Sequence, residues 1–399
     1  MTDITIIGGG IVGLGTAHAL RARGVESLHI LEKEAALGQH QSSHNSGVLH
    51  AGLQYEPGSA KARLARDGIR RMTEYCRSRG VAHDVCGKLV VATHRRDIPR
   101  LDAMLERGRA NGLVGLRKIG PDEAREIEPH VSCVGAIVVP EEGIADYPGV
   151  CSALEADLRT DGVEITTGAE VRRMDRTGGR WRVGTTAGDF ETRVVVTCAG
   201  LHADRLVEMA GADPGCRTVP FRGEYFRLRR EREHLVRHLI YPLPEPGFPF
   251  LGVHFTRRIG GGIDAGPNAV LAGAREGYRK TELDLMDLAS ALGWPGLWRF
   301  IAEHPRMVAR ELAQSAWKPR FVASLQRLIP EVTANDLVDG HAGVRAQAMD
   351  RRGRLIHDFV WVERPGAVHV VNAPSPAATA ALSIGDEIAE RAMRALASS

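Results

Sequence analysis

The 399-residue sequence predicts a composite α/β fold, in which a parallel sheet is interrupted by insertions that build a second, antiparallel sheet. The chain begins with a strand, a glycine-rich turn, a helix and a second strand within its first 33 residues. Two later segments, 163–176 and 190–200, are interpreted as strands that return to the same sheet. Elsewhere, "GEYFRLR" and "LGVHFTRR" alternate apolar and polar side chains, as half-buried antiparallel strands do.

The N-terminal unit predicts a Rossmann-like arrangement. "ITII" (4–7) is a short apolar run typical of a buried parallel strand. The helix "LGTAHALRARG" can end at Gly24 in the left-handed conformation, and "SLHILEK" (27–33) forms the second strand. This order of elements places the intervening turn at the edge of a sheet, where dinucleotides bind.

The turn itself has the spacing G-x-G-x-x-G, formed by Gly8, Gly10 and Gly13. The first glycine permits the tight turn, the second lets the backbone approach a pyrophosphate, and the third lets helix and strand pack closely. Glu32 follows about 20 residues after the last glycine, where an acidic side chain accepts hydrogen bonds from an adenosine ribose. The unit therefore predicts a dinucleotide site, which fits NAD and FAD equally.

Later pieces of the chain favour FAD. The segment 190–200 ends in the small-residue turn Thr197-Cys198-Ala199-Gly200, where backbone can again approach a cofactor. "VVNAPSPAATAALSIGDEIAERAM" predicts a strand, a proline-rich loop and a helix whose positive end can face an electron-rich ring. A cofactor held by pieces from the start, middle and end of one chain is typical of large flavoprotein folds.

These segments suggest boundaries for two domains. The FAD-binding domain takes residues 1–80, 146–215 and 335–399, and the substrate domain takes 81–145 and 216–334, with a helical cap at about 279–327.

The composition and the motifs give no indication of a nucleic-acid-binding, secreted or membrane-spanning protein. Lys and Arg number 52 and Asp and Glu 49, so the net charge of +3 gives no reason to expect nucleic acid as a partner. The cysteines show no C-x-x-C pair and "MTDITIIGGG" shows no signal peptide, so we expect reduced thiols in a cytoplasmic protein. No apolar run reaches the roughly 18 residues that span a bilayer.

One segment has two interpretations. Residues 292–325 contain Trp294, Leu297, Trp298, Phe300 and Ile301 beside arginines. Such a helix can lie peripherally on the cytoplasmic face of the inner membrane, or its apolar residues can face the core of a helical cap.

A resemblance to a known family rests on "IIGGGIVGLGTAHAL", "HNSGVLHAGLQYEPGSAKARL", "CGKLVVAT", "PFRGEYFRL", "FLGVHFTR", "GPNAVLA", "REGYRK", "AGVRAQAM" and "NAPSPAATAALSIG". Together these motifs resemble the L-2-hydroxyglutarate oxidase/dehydrogenase family, a branch of the FAD-dependent D-amino-acid-oxidase-like superfamily, from residue 3 to residue 390. The resemblance implies FAD, oxidation of L-2-hydroxyglutarate to 2-oxoglutarate, and transfer of the electrons to a quinone or to oxygen.

Such a reaction needs a base. Oxidation of a 2-hydroxy acid moves a hydride from carbon to flavin N5 while a base removes the hydroxyl proton, and histidine titrates in the right range. His50 follows the FAD unit in "LHAGLQY", which resembles the "IHGGLRY" pattern of glycerol-3-phosphate-oxidising flavoenzymes. His254, in "VHFTR", is the alternative base, or binds a substrate carboxylate. His44 is expected to pack against the flavin, with covalent attachment as an alternative; no third ligand near His44 and His50 indicates a metal.

A dicarboxylate substrate needs two further cationic or multi-donor sites. Arginine grips a carboxylate in bidentate fashion, and the resemblance to amino-acid oxidases assigns Arg345 to the carboxylate beside the hydroxyl. For the distal carboxylate the candidates Tyr55, Lys61, Arg222, His254 and Arg257 stay open. Gln54 and Thr256 complete the expected substrate contacts.

Low bulk at Gly47, Gly52 and the loop 373–379 lets backbone N–H groups reach the flavin and stabilise negative charge at its N1/C2=O edge. The expected cofactor-binding residues are Gly8, Gly10, Ile11, Val12, Gly13, Glu32, Lys33, Ser42, Ser43, His44, Asn45, Ser46, Gly47, Val171, Ala199, Gly200, Arg345, Pro374, Ser375, Pro376, Ala377, Ala378 and Thr379. Oxidation of another 2-hydroxy or 2-amino acid, or of glycerol 3-phosphate, remains the alternative activity, and a flavin-binding protein without turnover is the alternative class.

Overall fold

A computed structural model describes residues 2–244 and 252–398. The predicted strand "LGVHFTRR" begins at residue 251, outside the described residues, and its described part forms a strand from His254.

The strands are β1 (Thr2–Ile7), β2 (Leu28–Leu31), β3 (Val48–Leu49), β4 (His83–Asp84), β5 (Lys88–Ala92), β6 (Arg117–Ile119), β7 (Gly135–Val139), β8 (Gly143–Ala145), β9 (Glu164–Thr166), β10 (Val171–Thr177), β11 (Arg180–Thr185), β12 (Gly188–Thr197), β13 (Arg217–Leu228), β14 (Leu239–Pro242), β15 (His254–Arg257), β16 (Ile263–Gly266), β17 (Val270–Leu271), β18 (Leu337–Met349), β19 (Val360–Arg364) and β20 (Ala367–Asn372).

The helices are α1 (Ile11–Ala22), α2 (Ala60–Arg79), α3 (Ile98–Ala110), α4 (Pro121–Ile127), α5 (Tyr147–Thr160), α6 (Ala203–Met209), α7 (Leu285–Leu292), α8 (Pro295–Glu303), α9 (Pro305–Ala316), α10 (Lys318–Leu325) and α11 (Ala381–Ala397). Short 3-10 helices span Arg95–Asp97, Gly200–His202, Arg230–Leu235 and Ala334–Asp336.

The first sheet has a parallel centre. Strands β9, β2, β1, β12 and β20 run parallel in that spatial order, and β10–β11 and β19 extend the sheet with antiparallel pairings. The central strands are buried on both faces, with Ile4 and Ile6 fully inaccessible, which is why they read as unbroken apolar runs. Gly24 follows α1 with φ +83°, as the sequence predicted.

A small third sheet joins β3, β8 and β4. The second sheet is mostly antiparallel, and together with the first it confirms the predicted fold class. Its strands follow the order β17, β13, β16, β15, β14, β5, β7 and β6, with β18 also pairing with β13. The boundary suggested from sequence placed residues 335–399 with the cofactor-binding part, but β18 belongs to this second sheet. Its pairing with β13 extends from Arg217↔Met349 to Leu228↔Leu337, and such a long-range register leaves no local signal.

Glycines set how closely the first and last helices cross. A Cβ on Gly15 would lie 2.6 Å from the carbonyl oxygen of Ala381, and one on Gly385 would lie 2.3 Å from that of Gly15. The backbones of α1 and α11 therefore touch directly. This contact brings the proline-rich loop before α11 beside the glycine turn before α1.

The helices of residues 285–325 fall inside the predicted cap. Trp294, Leu297 and Phe300 are buried in one apolar cluster, whereas Trp298 is 56% exposed. The indole N–H of Trp294 donates to the carbonyl of Met349 at 3.1 Å, which ties α8 to β18. Three of the five residues considered as membrane anchors thus face the core. None of the described helices is long and apolar enough to span a bilayer.

Candidate active site

A cavity of about 1300 Å³ runs between the two sheets. Its wall combines the glycine turn, the loop 38–55, the turn 198–202, parts of β13, β15 and β18, and the loop 373–379. Binding pockets for small ligands usually measure about 300–1000 Å³, so this volume suits a dinucleotide together with a small substrate.

The glycine turn leaves no space for side chains. Gly8 has φ +110°, and a Cβ there would lie 2.4 Å from the carbonyl oxygen of Cys198. A Cβ on Gly13 would lie 2.0 Å from the carbonyl oxygen of Gly8. Gly10, the N-cap of α1, has no side chain to cap the helix. The N–H of Ile11 donates to the Ser42 hydroxyl at 2.9 Å, so the N–H groups after it are the ones placed to receive a pyrophosphate. These features fit FAD.

Most of the expected cofactor contacts line this cavity. Those that do are Gly8, Gly10, Ile11, Val12, Glu32, Lys33, Ser42, His44, Asn45, Ser46, Val171, Ala199, Gly200, Arg345, Pro374, Ser375, Pro376, Ala377, Ala378 and Thr379. Gly13, Ser43 and Gly47 are not among the described residues that line the cavity. Gly13 packs against Gly8, the Ser43 hydroxyl donates to the carbonyl of Gly38, and the Gly47 N–H donates to the Asn45 side chain at 2.8 Å.

His44 lies in this wall but already has an aromatic partner. Its ring stacks on that of Tyr278, with centroids 4.0 Å apart, and its Nδ1 donates to the carbonyl of His40 at 3.1 Å. The stack joins the loop between β2 and β3 to the segment before α7.

An ionic network lies close to this stack. Lys33 Nζ approaches Glu34 at 2.7 Å and Glu276 at 2.6 Å, and His40 Nε2 lies 2.9 Å from Glu34. Burial alone would raise the pKa of Glu276, but hydrogen bonds from His202 and Lys33 outweigh it and hold that pKa at about 2. The network therefore fastens the segment that carries Glu276 and Tyr278 across the nucleotide end of the cavity.

His50 lines another part of the cavity, directly after β3. Its backbone N–H donates to the Thr379 hydroxyl at 3.2 Å, and its side chain remains 16% exposed, toward the cavity. Its Nδ1 lies 3.6 Å from Oε2 of Glu142, a residue that sequence reasoning did not single out.

His254, on β15, lines the same cavity as His50. Its Nδ1 donates to the carbonyl of Gly252 at 2.9 Å, and its ring stacks on Tyr241 with centroids 3.8 Å apart. Burial lowers the pKa of His254 to about 3, so the ring is neutral and only weakly basic.

Arg345, on β18, also lines this cavity. Its Nη1 donates to the carbonyl of Asn268 at 3.3 Å, and burial lowers its pKa without discharging a guanidinium at neutral pH. Gly223, on β13, makes room for it, since a Cβ there would lie 2.9 Å from Arg345 Nη1.

The candidates for the distal carboxylate separate in the structure. Tyr55, Lys61 and His254 line the cavity, as does Gln54. Lys61 Nζ lies 4.7 Å above the centre of the Tyr55 ring, and burial lowers the pKa of Lys61 to about 8.

Arg222, Thr256 and Arg257 are not among the described residues that line the cavity. Arg222 is paired with Glu224 at 3.0 Å and also donates to the carbonyl of Arg279. Arg257 is paired with Asp84 at 2.8 Å, and Thr256 is fully buried in β15. Acidic partners thus engage both arginines: Glu224 lies two residues along the same strand as Arg222, whereas Asp84 reaches Arg257 from a distant segment.

Several lining residues were missed by sequence reasoning. Tyr147, Tyr225 and Tyr241 add hydroxyl groups to the wall, and Lys88 and Glu142 lie beside His50 in an adjoining small pocket. Tyr225 lies inside "FRGEYF", a motif already singled out in the sequence. Glu142 lies in "PEEGIADY", where no motif indicated a functional residue.

Comparisons with known proteins place the chain in a family. A family model described as "FAD dependent oxidoreductase" (DAO) matches residues 3–391, which agrees with the predicted FAD cofactor. The chain is 43% identical over 394 residues to an L-2-hydroxyglutarate dehydrogenase from Indibacter alkaliphilus, covering 98% of this chain and 99% of the relative. An L-2-hydroxyglutarate dehydrogenase from Escherichia coli K12 is also 43% identical, over 100% of this chain and 94% of the relative.

Among solved structures, dithionite-reduced L-α-glycerophosphate oxidase from Mycoplasma pneumoniae with FAD bound superposes with a TM-score of 0.78. The match covers 99% of this chain and 94% of that chain at 22% sequence identity, so it shows a common fold. The family model and the relatives at 43% identity together show that the chain belongs to the DAO family of FAD-dependent oxidoreductases and, within it, to the L-2-hydroxyglutarate dehydrogenases.

Proposed function

We propose that this protein catalyses the FAD-dependent oxidation of L-2-hydroxyglutarate to 2-oxoglutarate. One observation carries the proposal: His50, Lys61 and Arg345 line the same cavity as the glycine turn, so a base and two cationic groups meet near one cofactor site. The names of the relatives at 43% identity support the choice of substrate.

His50 acts as the base in this proposal. Its ring is partly exposed to the cavity and is held beside an acidic group, whereas His254 is a weak base with a pKa of about 3. A base is most effective when its pKa lies near the working pH. His254, as a neutral ring stacked on Tyr241, serves instead to shape the cavity.

Arg345 and Lys61 hold the two carboxylates. The planar fork of Arg345 suits the carboxylate beside the hydroxyl, because bidentate contact also fixes its orientation. Lys61 supplies a charge for the distal carboxylate and has flexible reach, while Gln54 and Tyr55 add hydrogen-bonding groups from the same wall. Bound FAD supplies the acceptor for the hydride that leaves the α-carbon.

Anaerobic titration of the bound FAD tests this activity. Adding L-2-hydroxyglutarate should bleach the visible absorbance of the flavin, and the D-enantiomer should leave it unchanged. Bleaching by L-lactate, glycerol 3-phosphate or a 2-amino acid, but not by L-2-hydroxyglutarate, would assign another substrate. A flavin spectrum that none of these compounds alters would favour a binding protein.

We further propose that the electrons pass to a quinone or to oxygen at an apolar rim of the cavity. Leu283, Leu285 and Met286 are 67%, 80% and 78% exposed, and Met286 lines the cavity. Exposed apolar groups beside a redox site suit contact with a quinone or with a membrane surface.

The acceptor is tested by comparing quinone reduction with oxygen consumption, and the membrane contact by pelleting with lipid vesicles. Leu285→Ser with Met286→Ser should reduce pelleting, and Leu312→Ser, at a 55% exposed position on α9, is the matched control. Equal pelleting of all three proteins would remove the rim from the proposal.

A further inference from the structure

We propose that Glu142 positions His50 and stabilises its protonated form during turnover, and that Lys88, buried against Glu142, limits this stabilisation. This inference rests on the proposed role of His50 as the base. It adds two positioning residues, neither of which needs to touch the substrate.

Strand pairing places the first partner. β3 and β8 pair antiparallel with Leu49 opposite Gly143, so the next residues along, His50 and Glu142, are neighbours. The carboxylate of Glu142 is 1% exposed, and its Oε1 accepts the backbone N–H of Ala51 at 3.0 Å. Its Oε2 faces His50 Nδ1 at 3.6 Å.

The second partner comes from β5. Lys88 is 7% exposed and its ammonium is in direct contact with Glu142 Oε2. The turn is fixed from the same side, because the N–H of Gly87 donates to the carbonyl of Glu142 at 2.8 Å. A buried carboxylate is strongly unfavourable without such a partner.

Glu142 stays ionised in this setting. Burial would raise its pKa, but the charge of Lys88 and the contacts with His50 outweigh burial and hold the pKa at about 2. The carboxylate therefore does not take a proton from His50 at neutral pH. It favours an N–H at Nδ1, which leaves Nε2 of the ring free to accept the hydroxyl proton of the substrate.

The charge on Lys88 moderates this effect. When the hydroxyl proton moves to Nε2, the O–H bond breaks, an N–H bond forms, and the ring becomes a cation beside Glu142. Without Lys88 the carboxylate would hold that cation too tightly for the proton to leave afterwards. Without Glu142, the positive charge of Lys88 would destabilise the protonated ring of His50.

The other titratable groups that share the cavity with His50 include Tyr55, Tyr241, His254 and Arg345. The ring of Tyr241 has its centroid 6.3 Å away, and burial raises the pKa of Tyr241 and of Tyr55, so both are neutral. His254 is neutral as well, with its pKa at about 3. Arg345, in the same cavity, is a cation that both variants described below retain.

Two substitutions with opposite charge effects test the pair. Glu142→Gln should lower the pKa of His50, and Lys88→Met should raise it. The double variant should lie between them. Nuclear magnetic resonance of histidine-labelled protein follows the titration of the ring directly, with His50→Ala identifying its signal. This measurement needs no substrate, so it stands even if the proposed activity fails.

The rate of anaerobic flavin reduction gives the second readout. A general base contributes about 10²–10⁴-fold, so Glu142→Gln should slow reduction about tenfold or more at neutral pH, with its pH profile displaced in the same direction as the titration. Glu141→Gln is the matched control, because Glu141 lies on the same turn but pairs with Arg66 at 2.7 Å.

The same shift of His50 in both single variants, or no shift in either, would overturn the inference. If Lys88→Met loses FAD or its native circular dichroism spectrum, the test is the comparison of Glu142→Gln with the double variant, in which removing the ammonium of Lys88 should raise the pKa of His50. Wild-type protein that L-2-hydroxyglutarate does not reduce would instead count against the proposed function.

Discussion

The carboxylate of Glu32 accepts a hydrogen bond from the backbone N–H of Gly9, with 2.7 Å between Oε2 and nitrogen. Its other oxygen accepts the N–H of Glu34 at 2.9 Å, and the side chain is buried at the end of β2. Glu32 lines the cavity, where the sequence predicts a contact with ribose. The structure adds a second role: Glu32 braces the glycine turn against the neighbouring strand.

Glu32→Ala should therefore weaken both the turn and FAD binding. Leaving buried N–H groups without acceptors costs about 1–3 kcal/mol. We expect a lower thermal midpoint and loss of flavin during gel filtration. Glu26→Ala, on the exposed loop before β2, is the control. Full retention of FAD by the Glu32 variant would contradict the bracing role.

Replacing His50 and His254 one at a time separates the role of the catalytic base from that of a residue that only shapes the cavity. His50→Ala should retain FAD but slow its reduction by L-2-hydroxyglutarate about 100-fold or more, because proton removal is lost. His254→Ala should act mainly on substrate affinity, since a ring with a pKa of about 3 is a poor base. Stopped-flow reduction measures both effects. Reduction of the His50 variant at the wild-type rate would transfer the role of base to His254.

Lys61 should make substrate binding sensitive to pH. Its pKa is lowered to about 8 by burial, so the side chain is charged at neutral pH and loses its charge as the pH rises through about 8. The dissociation constant for L-2-hydroxyglutarate should therefore increase above that pH. Binding of the monocarboxylate L-2-hydroxybutyrate should not follow this dependence, because it has no distal carboxylate.

Lys61→Met should remove the dependence, and Lys61→Arg should move it to higher pH. Arg63→Met is the matched control, since Arg63 lies on the same helix, 61% exposed, and pairs with Glu387. Equal losses for the dicarboxylate and the monocarboxylate would show that Lys61 does not contact the distal group.

Gly223→Ala should displace the guanidinium of Arg345. The added methyl group would lie 2.9 Å from Nη1, closer than van der Waals contact allows. We expect at least a tenfold higher dissociation constant for substrate with FAD content unchanged. Gly260→Ala, where a Cβ meets nothing within 4 Å, is the control. Unaltered affinity would contradict the predicted displacement of Arg345.

The sequence alone determined the nucleotide unit, because its chemistry is local. Gly8 needs a left-handed backbone conformation, and Gly24 ends α1 in the same way. These requirements are written in neighbouring residues. Short motifs likewise indicated His50 and Arg345, which the structure brings to one cavity.

Only the tertiary structure decided which charges are available. Arg257 is as basic in the sequence as Lys61, but Asp84, from a distant segment of the chain, pairs with it away from the cavity. The contact between His50 and Glu142 joins residues 92 positions apart through the register of β3 and β8. Charge pairing and strand register depend on which distant segments meet, and residue type and spacing do not encode that choice locally.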